Sequence, residues 1–531
     1  MDIFQSIKQL FRKGAVNIGA KKNYKSILDH PKIKMDPNEY KRIQDSLARY
    51  RQGSVTEQYR SSNRNKRSRN KKQLNMMKKV SAEYVKVMFN EQVEIVVGEY
   101  EKDSNQLVDE TNNKFIQEIF KYTDFKKNLG RYLEPAMALG GLAVRPYFND
   151  RSEQIEFSWA LADAFFPLES SSDKISGCAI PFPTTVVKND KIYYYTLVEF
   201  HEWVWIEEKN AEGYDEYVVR NELYESEKAY ELGVQVPLAT LEDYKDLDPV
   251  NEGKNIERPL FTYFKPAGFN NIAPRSPLGL GVCDNCKDTL DAINLAEHEF
   301  DLEIRRGRRR IAVADRFLMT RFDQEEGVQY FDDEEDVYQL LPGEDGEKTM
   351  IKDLTTDIRT QQYIETINHH LRTLEMETGL SNGTFTFDGS SIRSGNKTAT
   401  EVVSENSQTY QSRNLHIKEL ETFIKDVIIS VFELASTLDD EKGEPLFSGE
   451  IPTHEQIGVN FDDGVFINKE AEAVHYRGLY NEGLIPGWLA VQKIMGLPED
   501  KAKKLYVEAQ LGVVDETTKK IQDTGFDDFE E

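Results

Sequence analysis

Cys283 and Cys286 stand at the spacing of a zinc half-site or a redox pair. Closing a structural zinc site takes four ligands, and neither a second CxxC nor a suitably spaced His pair follows. No thioredoxin-like βαβ pattern surrounds the motif, so it reads as a coincidence of spacing at the start of a helix. Gly389 to Thr398 forms a glycine-bounded loop that could cradle phosphates ahead of a helix. Its spacing departs from a Walker loop: five residues rather than four separate the glycines, and Asn396 stands between Gly395 and Lys397. That leaves a flexible polar loop carrying Ser390, Ser391, Arg393, Ser394, Gly395, Asn396 and Lys397. The glycines of Pro277-Leu-Gly279-Leu-Gly281 read as a turn before a helix, and His369-His370 as structural or surface residues. The chain lacks GxSxG, HExxH and the protein-kinase motif set, and its 93 acidic residues permit no assignment of a catalytic carboxylate pair. No enzymatic chemistry, cofactor or metal is expected.

Charge is organised more sharply than these motifs. Residues 1–80 hold 21 Lys and Arg against 6 Asp and Glu, whereas the other 451 hold 46 against 87. A basic first segment on an acidic body predicts contact with a polyanion or an acidic partner at one end, or simply a solvated basic surface. The densest part, Ser61–Lys72, contains no apolar residue and carries Arg64, Lys66, Arg67, Arg69, Lys71 and Lys72, which predicts an exposed loop or linker. Farther on, Arg305, Arg306, Arg308, Arg309 and Arg310 end a predicted helix, where cations suit the macrodipole. Phe322–Glu347 then holds eleven acids, Asp332, Asp333, Glu334, Glu335 and Asp336 among them, and no Lys or Arg. So acidic a chain is not expected to grip DNA over its whole surface.

The elements that must carry these residues follow from periodicity. Helices are predicted over 38–50 and 75–97, around Phe115–Tyr122, and over Phe125–Leu139, the last stopped by Gly140-Gly141. From Leu142 to Phe264, aromatic and β-branched runs (Ile155–Trp159, Ile192–Ile206, Tyr217–Leu223, Leu260–Phe264) alternate with turn residues and predict a largely antiparallel sheet. Pro266–Leu280, rich in Pro and Gly, reads as a hinge. Leu290, Ile293, Ala296, Phe300 and Ile304 form an apolar stripe on a helix ending near Arg305. Ile364, Ile367, Leu371 and Leu374 form a second, on a helix from about Asp353 to Thr378. About 45 residues with strand-like ends, Arg310–Phe317 and Tyr338–Leu341, separate them. Thr398–Leu434 is predicted as one long helix, with shorter ones over Lys469–Glu482, Gly487–Met495 and Glu499–Gln510, and an acidic, disordered tail at Asp523–Glu531.

Length and composition bound the rest. A chain of 531 residues suggests three or four domains, and 39% apolar with 30% charged residues suits a soluble globular protein. Mean hydropathy is -0.61, and no run approaches the roughly 18 uncharged apolar residues of a membrane helix. The first residues lack a secretory h-region, and three cysteines exclude a disulfide framework and suit a reducing cytoplasm.

Read in order, these segments resemble the portal proteins of tailed bacteriophages, of the Gram-positive siphophage type also labelled minor capsid protein. The likeness rests on RNKKQLNMMKKVSAEYVKVMFNEQ, GGLAVRPYF, LVEFHEW, SPLGLGVCDNCKDTLDAINLAEHEFDLEIRRGRRRI and SGNKTATEVVSENSQTY, and covers most of the chain. It implies an α+β portal fold: a wing over 1–280, stem helices over 281–309 and 353–379, and a clip over 310–352. A tunnel loop over 380–397, a kinked wing helix within 398–466, and a crown and acidic tail over 467–531 would complete it. It also implies a homo-oligomeric, dodecameric ring at one capsid vertex, through which double-stranded DNA is packaged, retained and ejected without sequence readout. The terminase motor and head-tail adaptor would dock at the clip, with major capsid and scaffold proteins as further partners and no membrane. Such a protein is assembled in the host cytoplasm and resides in the virion. Two readings from other classes stand beside it: a nucleotide-driven DNA motor of the terminase kind, which would hydrolyse ATP, and a basic-arm nucleic-acid-binding structural protein, whose DNA affinity would vanish without residues 1–80.

Overall fold

A computed structural model describes residues 22–60, 66–89, 93–98, 110–149, 151–171, 174–207, 213–253, 256–307, 311–313, 319–323, 326–330, 351–353, 357–386, 407–438, 445–461, 476–481, 483–495 and 502–507. After a short strand β1 (Asn23–Tyr24), helix α1 (Pro37–Arg51) starts behind Asp36, whose carboxylate accepts the Asn38 N–H, with proline in its first turn. Then come the hairpin β2 (Thr56–Arg60) and β3 (Lys66–Asn70), helix α2 (Met76–Met88), strand β4 (Glu94–Val97), and helices α3 (Glu110–Tyr122) and α4 (Phe125–Leu139).

Two sequence expectations change here. The polar stretch expected as a loop supplies strand β3, paired with β2 from Thr56↔Asn70 to Arg60↔Lys66. Cross-strand Glu57–Arg69 pairing and the Arg69 guanidinium over the Tyr59 ring, 4.6 Å from its centroid, stabilise a ribbon without an apolar face. The helix expected over 75–97 ends at Met88. The β-branched run Ile95–Val97 belongs to β4, which pairs antiparallel with the distant β18 (Ile457–Asn460). Helical spacing and a buried strand look alike in so short an apolar run.

Helix α4 stops at Gly140, at φ 92°. A Cβ at Gly140 would collide with the backbone of Gly279, and one at Gly281 with Ala138. The glycine pair of 277–281 is therefore a packing device that lets the segment lie against the end of α4. Residues 266–280 are no free hinge: Leu278 is buried, and Asn270 donates to Glu39 (2.9 Å) and to the Leu278 carbonyl (3.2 Å).

The predicted antiparallel region forms two sheets. Strands β5 (Leu142–Asn149), β6 (Gln154–Leu161) and β13 (Thr262–Phe264) pair in the order β13-β5-β6. The larger sheet contains β7 (Phe166–Ser170), β8 (Ile175–Lys188), β9 (Lys191–Ile206), β10 (Tyr214–Ser226), β11 (Gly233–Val236) and β12 (Val250–Gly253). Its order is β1-β11-β10-β9-β8-β7, with β12 also on β10. The β8–β9 turn uses Asn189 and Asp190, both at positive φ, as a tight hairpin requires.

Helices α5 (Lys287–Arg306) and α6 (Thr360–Thr378) pack against each other. Between them are β14 (Ile311–Val313), the hairpin β15 (Met319–Asp323) and β16 (Glu326–Tyr330), and β17 (Ile351–Asp353). The second helix starts seven residues later than expected, because 351–353 pairs with β14 instead. Helix α7 (Ser407–Thr437) crosses the core. From Val427 to Ala435 every residue is buried, so that part is enclosed on all sides rather than along one stripe. Helix α8 (Gly487–Met495) and helical turns at 476–481 and 502–507 complete the described chain. Mixed helices and antiparallel sheets make the class α+β, as the sequence implied.

Candidate functional site

The distinctive geometry is the α5–α6 hairpin and what is fastened to its two ends. Leu290 and Ile293 of α5 and Ile367, Leu371 and Leu374 of α6 are buried, at the seam the apolar spacing predicts, whereas Leu302, also buried, lies on the other side of α5. Phe300 and Tyr363 stack with centroids 5.4 Å apart, and Arg359 holds Glu303 through two 3.0 Å hydrogen bonds. Ile304, placed on the seam by spacing, is exposed, as are Leu295, Met376 and, on α7, Leu415.

The base of α5 is anchored by buried charge. Arg42 of α1 donates to both Glu39 oxygens at 2.9 Å, to the Gly279 carbonyl at 3.0 Å, and to Asp284. Asp284 also accepts from the Ser46 hydroxyl (2.6 Å) and the Gly281 N–H (2.8 Å). Burial works against the Arg42 charge, but Glu39 and Asp284 outweigh it and raise its pKa. Each partner has at least two further donors, the condition for a buried ion pair to be tolerated. Cys283 and Cys286 sit in the same turn, buried and free, with the Cys286 thiol donating to the Cys283 carbonyl at 3.4 Å. The side-chain interaction with Cys286, which favours the protonated thiol, and then burial push the Cys283 thiol well above its ordinary pKa, away from the reactive thiolate. Among the described residues no group of three or more His, Cys, Asp or Glu is placed to hold a metal ion, and no helix is long and apolar enough to cross a membrane.

The far end of the hairpin opens into the insert, whose first and last described strands, β14 and β17, pair antiparallel. The insert therefore leaves and returns at one point. Arg305 pairs with Asp301 at 2.8 Å, Arg306 ends α5, and Gly307 follows. Arg308, Arg309 and Arg310, and Asp332, Asp333, Glu334, Glu335 and Asp336, lie outside the described residues.

A second closed loop begins behind α6. Glu375, fully buried, accepts N–H groups from Gly383 and Phe385, and Ser412 donates to the Gly379 carbonyl at 2.8 Å. Ser381 and Thr409 exchange backbone-to-side-chain hydrogen bonds at 2.8 and 3.2 Å. Residues 387–406, including Ser390, Ser391, Arg393, Ser394, Gly395, Asn396 and Lys397, lie outside the described residues, but their two flanks are clamped side by side.

The basic segment is fastened to α5. His298, buried, donates from Nε2 to Glu57 at 3.1 Å, and its Nδ1 accepts the Lys72 N–H at 3.3 Å. Asn294 accepts the Leu74 N–H at 2.8 Å. Arg69 and then His298 hold the Glu57 carboxyl below the usual range. Lys66, Arg67, Lys71 and Lys72 are exposed, whereas Arg64 lies outside the described residues. An open cleft of about 290 Å³ lies at the ribbon's base, lined by Val55, Asn75, Asp291 and Asn294. Its Arg49 and Asp291 neutralise each other at 2.6 Å.

Sequence reasoning found the two seams and the exposed cations Lys66, Arg67, Lys71 and Lys72. It missed Glu57–His298, Arg42–Asp284 and Ser381–Thr409, which join residues 28 to 242 positions apart and carry no local signature. A family model described as phage portal protein, SPP1 Gp6-like, matches residues 20–513. No curated protein matches the chain.

Proposed function

The chain belongs to the SPP1 Gp6-like phage portal protein family, and on that premise we propose that twelve copies close into a ring at one capsid vertex. Double-stranded DNA enters, is retained in and leaves the capsid through this ring. The observation that carries the reading is the family match across nearly the whole chain, residues 20–513, with the α5–α6 hairpin at its centre. In this reading α5 and α6 are the stem, the insert between them is the clip, and 380–397 is the tunnel loop. The sheets and α7 form the wing, and the segment after 467 the crown.

Several physical observations support this reading. Exposed Leu295, Ile304, Met376 and Leu415 lie on helices that a cyclic assembly would cover. Clamped flanks let a Gly/Ser-rich loop project without disturbing the helices behind it. Arg393 and Lys397 would then touch the DNA backbone without base readout. The acidic insert would present its charge to the terminase motor and the head-tail adaptor, with Arg305–Arg310 as a counter-charge beneath it. The basic segment Arg64–Lys72 stands outside the channel, because that many cations in every copy would hold passing DNA too tightly. Major capsid and scaffold proteins surround the ring.

Electron microscopy of the purified protein tests this directly. Rings of twelve 61.2 kDa chains, roughly 0.73 MDa, are expected. A monodisperse monomer at all concentrations would overturn the reading.

A further inference from the structure

The β2–β3 ribbon is built unlike a protein–protein contact. Strand alternation places Lys66, Ser68 and Asn70 on one face, beside Thr56 and Gln58 of β2, and Arg67 and Arg69 on the other, beside Glu57 and Tyr59. The second face is turned toward α5 through Glu57, Arg69 and His298. Glu57, the lone acid between Arg51 and Lys72, is consumed by those two partners. Lys66, Arg67, Lys71 and Lys72 remain exposed, with no ion pair among the described residues.

Three tethers to α5, from Glu57, Lys72 and Leu74, make this a rigid presentation rather than a trailing arm. Fixing Lys66 and Arg67 on a narrow ribbon, with Lys71 and Lys72 directly past its end, is unfavourable unless something neutralises the charges. The open face offers Thr56, Gln58, Lys66, Ser68 and Asn70, with no apolar or aromatic side chain to form the dry centre that protein interfaces carry. Phosphate backbones need no such centre, since cations and small hydroxyl or amide groups are what contact them. A two-stranded ribbon is also narrow enough to follow a duplex groove about 12 Å wide.

We propose that this ribbon is a binding surface for the phosphate backbone of double-stranded DNA, separate from the translocation path and without sequence preference. It deepens the portal reading by naming a stationary DNA contact, one that grips where the channel must let DNA slide.

The test uses the full-length assembled protein and a labelled duplex of about 30 base pairs, titrated over a range of salt concentrations. Replacing Lys66, Arg67, Lys71 and Lys72 by Gln should lower the slope of log affinity against log salt by roughly three to four units, at about 0.9 per phosphate contact. Affinity at ~0.1 M salt should fall at least tenfold. The exposed pair Lys114 and Lys121 on α3, changed to Gln, controls for net charge and should leave both values unaltered. Should the fourfold variant fail to assemble, Ser68→Lys decides, because one added cation on the open face should steepen the slope by about one unit. Parent-like DNA binding in the fourfold variant, or a flat response to Ser68→Lys, overturns the proposal. So does unchanged DNA affinity combined with lost incorporation into capsids, which would assign the ribbon to an acidic protein. Each of these failures leaves the ring and its channel standing, since those are read by microscopy.

Discussion

His416 and Glu433 occupy one helix and respond to pH in opposite directions. His416 is buried, accepts the Ala267 N–H at 2.9 Å and packs edge-on against Tyr84; burial pushes its pKa down to about 4. Its stabilising neutral form is fully present above the ordinary pKa of 6.5, and that stability is lost as pH falls toward 4. Glu433, buried at the other end, accepts the Arg258 N–H at 3.3 Å, and burial pushes its carboxyl up to about 7. Its contribution is present below 4.5 and lost as pH rises through about 7. Between these limits the two effects offset each other. Glu433→Gln should therefore stabilise the fold by roughly 1–3 kcal/mol above neutral pH and little below 4.5. His416→Asn should flatten the acid-side loss. Denaturant titrations across pH would show both, and parallel pH profiles for parent and variants would refute the assignment.

At the scale of elements, the proposed ring predicts that the two faces of the α5–α6 hairpin divide folding from assembly. Leu371, at 1% exposure, faces the seam, whereas Met376, one and a half turns later, is 65% exposed. Leu371→Ala should cost about 2–5 kcal/mol of stability, because the cavity it leaves cannot close fully. Met376→Ser should change the stability of the single chain by no more than about 0.5 kcal/mol, since a surface change removes little packing. Sedimentation should nevertheless show its rings dissociating at higher concentration than the parent's. Equal effects of the two substitutions on folding would mean that Met376 is covered within its own chain.

Across the whole molecule, the two closed excursions from the hairpin carry the remaining predictions. Arg393→Ala with Lys397→Ala should leave rings intact and reduce packaging efficiency or the retention of packaged DNA. Collapse of assembly would make those residues structural instead. Replacing Asp332, Asp333, Glu334, Glu335 and Asp336 by their amides removes five of the eleven acids in 322–347 without changing shape. Charges within about 8–10 Å are incompletely screened at physiological salt, so these acids, if they form the proposed docking rim, should speed encounters with basic partner surfaces. Motor and adaptor association should slow in the amide variant and lose much of its salt dependence. Unchanged association rates at low salt would reduce the acidic block to solvated surface.

The antiparallel region, the two apolar seams, the stop at Gly140 and the long helix were determined by the sequence alone, because each rests on a local period or a capping residue. Only the tertiary structure decided that Glu94–Val97 is a strand, since its partner lies at Ile457–Asn460. It also decided that Lys66–Asn70 is one edge of a ribbon, because its stability comes from Glu57 and from His298, more than 220 residues away along the chain. Gly279 and Gly281 read as a turn from the sequence, and only packing shows that the backbone at the end of α4 presses against them. Periodicity reports which face of an element avoids water; which distant backbone meets that face is settled by packing.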